Sequence, residues 1–321
     1  GAFCFLISLP YVAEYNTFLK VCAKSVCIDL LFLMNLRPQS VCLVTSQKLI
    51  LEIIKVIIYV NQMSYDKITN KYDLHTKYEG NLNFSRPNYV SDGSVQTSFL
   101  LDALSEFDKM IDILLENEIP ISHILGLRNL SAFVGEVYNR CVTKVAKELI
   151  KNNPHQDGYP DLLIMDKLGQ DEWNKIGKRI YEKEPFSFFA TGGIEVKATC
   201  GDLRSAKWFT ENSLLKPQIG EQRLEWITGY NWKSHHQLTN NLIGIIWDFV
   251  DTKPTIIAIM YSNLLNENDW GNTVTPKKGG GRTTSVSIMN AKGIKKMRSG
   301  LLAIIKDQYD SHKVLKRLDK Y

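Results

Sequence analysis

Pro160-Asp161-Leu162-Leu163-Ile164-Met165-Asp166 and, further along, Gly193-Ile194-Glu195-Val196-Lys197-Ala198-Thr199 are the two stretches on which the reading of this chain turns. The first is a short apolar run. Asp157-Gly158-Tyr159-Pro160 closes it on one side and a turn over 167–170 on the other, which predicts a strand. The second ends an aromatic, β-rich segment, 186–199, and predicts another strand, kinked or bulged at Gly192-Gly193. Side chains two apart on a strand share a face. Glu195 and Lys197 therefore point together, while Ile194, Val196 and Ala198 point to the core. A charge within an apolar strand costs free energy unless it serves a site. If the two strands are neighbours, Asp161 meets Glu195.

Working outward, apolar residues recur at helical spacing over about 97–117 (Leu100, Leu101, Leu104, Phe107, Ile111, Leu114, Leu115) and about 131–151 (Phe133, Val134, Val137, Cys141, Val145, Leu149). Both stripes predict helices packed on a core. Residues 171–184 predict an inserted polar helix. The apolar runs 242–250 and 255–261, separated by Asp251-Thr252-Lys253-Pro254, predict a hairpin. The end, 300–318, reads as helix, and 64–95, rich in Asn, Tyr, Ser and Gly, reads as loop. The sum is an α/β chain.

The formal charge of +5 over 321 residues is only mildly basic. Its distribution is uneven: 271–321 is strongly basic and 63–270 is net acidic, which suits a protein that holds phosphates with one part and metal ions with another. Residues 1–62 differ from the rest, with four of the six cysteines and few charges. They read as an apolar extension or upstream read-through, with the working protein starting near Met63; a hydrophobic helical hairpin is the other reading. Lys24, Asp29, Lys48, Glu52 and Lys55 interrupt every window long enough to cross a bilayer, so no membrane span is expected. The cysteines show no CxxC pair, which argues against zinc and suits a reducing cytoplasm.

Hydrolysing a phosphodiester needs a divalent ion against the developing charge, carboxylates to hold that ion, and a cation or base to position water. Mg²⁺, hard and oxygen-seeking, is the expected cofactor. Asp161, Glu195 and Lys197 supply that set. The opposing reading is that Asp161 caps a turn and Glu195 and Lys197 lie on a solvated strand face. Beyond the second strand come Thr199, Arg204 and Lys207, then Trp226-Ile227-Thr228-Gly229-Tyr230-Asn231-Trp232-Lys233-Ser234-His235-His236-Gln237. Aromatics interleaved with Lys233, His235, His236 and Gln237 suit base edges and phosphates of double-stranded DNA, or else form an irregular core loop. Lys277, Lys278 and Arg282, in a glycine-rich run, read as a phosphate-gripping loop or a plain linker. The run lacks P-loop spacing, so no nucleotide cofactor is expected.

Pro160-Asp161 followed by Glu195-Val196-Lys197 resembles the PD-(D/E)xK nuclease signature, over roughly 131–200 with an extension to 262. The resemblance implies a mixed central β-sheet flanked by α-helices, as in restriction endonucleases, within a single nuclease domain, 63–321. It also implies metal ligation by Asp161 and Glu195 and a water-orienting role for Lys197. Glu136, on the preceding helix, matches the further acid that many members use and would complete the metal shell. One departure is the gap of 34 positions between Asp161 and Glu195, filled by an insertion. The type expected is a stand-alone type II restriction enzyme of a prokaryotic cytoplasm, working as a homodimer because two strands must be cut. The rivals are a repair or recombination nuclease of the same superfamily and a DNA-binding protein without catalysis.

Overall fold

The computed structural model of the chain describes residues 55, 59, 62, 63, 65–75, 80–86, 89, 91–235, 237–276, 285–306 and 311–321. The chain divides into two units, Gly1–Asn61 and Gln62–Tyr321. The readings of 1–62 as an extension or a helical hairpin fall almost wholly outside the described residues. All that follows concerns the second unit.

Its centre is a seven-stranded sheet. The strands, in chain order, are β1 (Tyr72–Leu74), β2 (Ile150–Asn152), β3 (Leu162–Ile164), β4 (Gly193–Thr199), β5 (Leu242–Val250), β6 (Lys253–Ser262) and β7 (Leu301–Ile305). They lie side by side in the order β1-β7-β6-β5-β4-β3-β2. The pair β4–β5 is parallel and every other neighbouring pair is antiparallel. The sheet is therefore mixed.

The parallel pair needs a crossover, because two strands running the same way cannot be joined by a tight turn. Residues 200–241 make it, and they include a short helix, Ala206–Glu211. The hairpin β5–β6 instead turns on Asp251 and Thr252, both at positive φ (49° and 65°). Two left-handed residues match the twist of the flanking strands.

Helices α1 (Thr97–Glu116) and α2 (Leu127–Ala146) pack on each other, and α2 lies on β4. Leu100, Leu101, Leu104, Phe107 and Ile111 bury the inner stripe of α1, as the 3.6-residue spacing requires. The Tyr138 hydroxyl of α2 donates to the Leu100 carbonyl at 2.8 Å, and the indole of Trp247 on β5 donates to Ser131 Oγ at 3.1 Å. These two polar groups are thus paired across layers. Strands β5 and β6 are apolar almost throughout and nearly wholly buried, as central strands covered on both faces must be.

Three expectations need correction. Residues 64–95 are not loop alone: 65–71 are helical, Tyr72–Leu74 forms β1, and Asn81–Phe84 pairs with Gly93–Gln96. The segment 300–318 is not one helix: Leu301–Ile305 is an inner strand, preceded by a helix at Ala291–Ser299 and followed by another at Ser311–Leu318. A five-residue apolar run carries no period that separates strand from helix. The insertion is helical earlier than expected, with α3 at Lys167–Ile176. Asp166 caps α3, its Oδ1 accepting from the Gly169 amide at 3.1 Å. The insertion closes a small core of its own from Leu163, Met165, Ile176, Phe186 and Phe189. That is how residues 165–192 fit between adjacent strands.

Candidate active site

Strand β3 begins one residue after Asp161, and β4 pairs beside it with Leu162 opposite Ile194 and Leu163 opposite Gly193. This register sets Asp161 next to Glu195. The close approach depends on Gly193: a Cβ there would stand 2.1 Å from the Leu162 carbonyl oxygen and 2.8 Å from Pro160 Cγ. Gly192 before it takes φ +73°, which supplies the kink at the strand's start.

The structure brings Asp161, Glu195 and Lys197 into one cluster. Lys197 Nζ lies 2.5 Å from Glu195 Oε1 and 3.3 Å from Asp161 Oδ2. The Asp161 amide donates to Glu195 Oε2 at 3.2 Å, and the Val196 amide donates to Asp161 Oδ2 at 2.8 Å. Each carboxylate thus bonds the other strand's backbone, which locks both side chains to the β3–β4 pair. Asp161 Oδ1 has no hydrogen-bond partner among the described residues. The Glu195 side chain is 7% exposed, whereas Asp161 and Lys197 are each 23% exposed. The cluster is therefore covered on the Glu195 side and open to solvent on the other.

Burial, and then the neighbouring Asp161 charge, push the Glu195 carboxyl up to about 7, against the pull of Lys197. Burial pulls the Lys197 ammonium down, but the two carboxylates outweigh it and hold it above its usual range. Near neutral pH the site thus holds a permanent cation and two acids, one of them at the edge of protonation. A second positive charge placed between those acids would relieve their repulsion. Two carboxylates with an unused oxygen and a solvent opening are the hard donor set that suits Mg²⁺, which keeps several waters and takes few protein ligands.

Other elements brace the cluster. The Asn241 carbonyl accepts from the Glu195 amide at 3.0 Å. The Asn241 side chain donates to the Gly193 carbonyl at 3.1 Å and exchanges two bonds with the Ser85 backbone, both at 2.8 Å. Next along, Arg86 is buried, pairs with Asp166 and donates to the Thr191 carbonyl at 3.2 Å. One segment, 84–86, so ties together the starts of β4 and β5 and the cap of α3. Nothing in the local sequence announces Asn241 or Arg86; the only signal is a pair of asparagines just ahead of an apolar strand. Tyr159 also stands close, its hydroxyl raised well above its ordinary value by burial and then by Glu195.

The other candidates lie elsewhere. Glu136 is exposed, on the face of α2 opposite the buried Leu130, Val134, Tyr138 and Cys141. Helix geometry turns it away from the sheet, so it is not part of the cluster. Among the described residues no three His, Cys, Asp or Glu side chains gather as a metal group. Thr199 is buried, and its hydroxyl donates to Asn231 Oδ1 at 3.3 Å and accepts from the Gly201 amide at 3.1 Å. Tyr230 and Trp232 are core residues, not base-reading surface. Gln237 donates to the Gly271 carbonyl at 2.9 Å, and His235 Nδ1 lies 3.3 Å from the Ser285 carbonyl oxygen. Arg204, Lys207 and Lys233 are exposed; Arg204 stacks on Trp208 at 4.5 Å, and Lys207 lies 3.6 Å from Glu211. His236, Lys277, Lys278 and Arg282 lie outside the described residues. Among the described residues no helix is long and apolar enough to cross a membrane.

No family model, curated protein or solved structure matches this chain.

Proposed function

We propose that the chain is a divalent-cation-dependent endonuclease of double-stranded DNA, with its mixed sheet and flanking helices arranged as in restriction endonucleases. The observation that carries this reading is the convergence of Asp161, Glu195 and Lys197 from adjacent strands, with the ammonium 2.5 Å from one carboxylate and 3.3 Å from the other. A salt bridge made only for stability is a poor explanation. Burying an ion pair rarely gains free energy over an apolar pair of similar volume, and a second carboxylate beside the first costs more.

Asp161 and Glu195 would hold Mg²⁺, which when bound supplies positive charge against that developing on the phosphate. Lys197 stays protonated at neutral pH, because both acids hold its pKa high. It therefore acts as a donor that orients the attacking water and steadies a phosphate oxygen, not as the base that takes the water's proton. Asn241 and Gly193 keep Glu195 in register. Cutting both strands of a symmetric site calls for two such centres, so a homodimer belongs to the reading. Cutting within a DNA duplex at a fixed sequence, as a type II restriction enzyme does, is the form of activity proposed.

The test is a gel. Purified protein with long linear DNA and Mg²⁺ is expected to yield discrete fragments, and chelation is expected to stop it. Lys197→Ala should abolish cutting and retain duplex binding. Intact DNA with both Mg²⁺ and Mn²⁺ would sink the reading. Digestion only at ends or branches would move it to a repair nuclease, and binding without cutting to a DNA-binding protein.

A further inference from the structure

Strand β4, which carries Lys197, ends at Thr199, and the chain then turns along one wall of a cleft of about 510 Å³. Residues 201–205 form that wall, 216–219 and Arg223 form another, and Leu127, the first residue of α2, completes it. Three observations give the cleft one electrical character.

The first is Arg223. It is 5% exposed, its Nε is buried with no hydrogen-bond partner, and its guanidinium makes no ion pair among the described residues. The Asp248 carboxylate is near enough for its charge and that of Arg223 to attract, but nothing accepts from the buried Nε. An unmade bond there is costly, and an acceptor from outside the chain would relieve it. Its backbone is held: Asp248 Oδ2 accepts from the Arg223 and Leu224 amides at 2.9 and 2.7 Å. The second is α2. This helix of 20 residues starts at the cleft, and its N-cap, Gly126, provides no side-chain cap. Its first amides and the positive end of its dipole lack a side-chain acceptor. The third is the rim, where Arg204, stacked on Trp208, and Lys216 are both exposed. One acid, Asp202, also lines the cleft; its Oδ2 accepts from Asn231 Nδ2 at 2.6 Å.

We infer that this cleft is an anion subsite that holds a backbone phosphodiester of the DNA strand beside the one being cut, with Arg223 and the start of α2 as its floor and Arg204 and Lys216 as its rim. The inference rests on the nuclease reading for the identity of the strand. Gly201 follows Lys197 by four residues. At roughly 3.3 Å per residue the cleft lies within about 13 Å of the reaction centre, a span that one short stretch of nucleic-acid backbone covers.

The test is binding of a 20-base-pair duplex, read by fluorescence anisotropy with chelator present so that nothing is cut, over a series of salt concentrations. The double variant Arg204→Ala, Lys216→Ala should bind roughly tenfold more weakly at low salt. Its salt slope should be shallower by up to about 1.8, at about 0.9 for each phosphate that the variant no longer neutralises. Arg223→Gln should weaken binding as well; because Arg223 is buried, its circular dichroism is checked first, and the exposed double variant decides the matter if it misfolds. Variants that bind with the affinity and slope of the parent would overturn the inference, as would a parent that binds no duplex. So would inorganic phosphate raising the parent's melting temperature, but not the double variant's, while duplex binding is the same in both; that outcome marks a free-phosphate site. A parent that binds through the cleft yet cuts nothing with Mg²⁺ would fail the nuclease reading alone. A parent that cuts, with unaltered binding in both variants, would fail this inference alone.

Discussion

Two carboxyls are buried in neighbouring strands of one sheet, and they lead different lives. Asp248 on β5 is fully buried, and burial pushes its carboxyl up to about 6. Both its oxygens are occupied by backbone amides: Arg223 at 3.1 and 2.9 Å, Leu224 at 2.7 Å and Phe249 at 2.8 Å. Glu195 on β4 is raised to about 7 by burial and then by a second acid, and is held by the ammonium of a long, flexible side chain. The depth of burial is similar; the partners differ. Backbone amides cannot leave, so Asp248 is a fastener for the 223–224 turn. Glu195 has one backbone amide, that of Asp161, on Oε2. Its other partners are an ammonium and a second carboxylate, both partly open to solvent, so that side of its surroundings is the one a cation and a substrate would take over in the proposed reaction. A raised carboxyl does not by itself mark a site. A raised carboxyl beside a second, partly open carboxylate is the better candidate.

The contrast can be broken in three places. The largest effect is expected at Glu195→Gln, which keeps shape and removes charge. DNA cutting with Mg²⁺ should fall by roughly 100- to 1000-fold, the usual loss for one electrostatic group of a reaction centre, while urea unfolding stays near that of the parent. Retained cutting would end the assignment of Glu195. Next comes Asp248→Ala, which strips the acceptors from three buried amides. At about 1–3 kcal/mol for each unmade bond, unfolding free energy should drop by roughly 3 kcal/mol or more. Asp161→Asn, which relieves a like-charge approach at a partly open position, should cost about 1 kcal/mol or less. Equal losses in the two variants would erase the distinction drawn between fastener and site.

A further effect is one of pH. The folded-state pKa of Asp248 lies above the ordinary 3.8, so the fold binds this proton more tightly than the unfolded chain does. Its contribution is most favourable below about pH 4 and is lost as pH rises from about 4 to about 6. Other carboxylates titrate in the same window, so the quantity to follow is the difference between parent and Asp248→Asn. The parent's advantage should shrink by roughly 2–3 kcal/mol between pH 4 and pH 7, at about 1.4 kcal/mol for each pKa unit. A constant difference would mean that Asp248 keeps its ordinary pKa.

Legibility in the sequence follows periodicity. Glu195 and Lys197 stand out because an alternating strand makes two charges on one face visible. The stripes of α1 and α2 and the hairpin around Asp251-Thr252 are legible for the same reason: each is a repeat that side-chain geometry enforces over several residues. Strand β7 reads as helix in the sequence because Leu301–Ile305, buried on both faces, shows no alternation. Strand β1, of three residues, is too short to show any. Glu136 rests on a resemblance, and helix geometry places it on the outer face. Trp232 and Tyr230 read as DNA-facing because polar residues surround them, yet the crossover buries them.

Local pattern, then, determined which residues are strand or helix wherever a period could run, and it determined that one charged pair shares a strand face. That follows from the fixed stereochemistry of the chain. Only the tertiary structure decided that β3 and β4 are neighbours with Asp161 against Glu195, that Asn241 and Arg86 brace them, and that the buried Nε of Arg223 is left without an acceptor in the cleft that the start of α2 lines. Those facts depend on residues far apart in the chain meeting in space, and sheet order and register leave no local mark. They come from how the apolar faces close on one another, with the charges going where that closure leaves room.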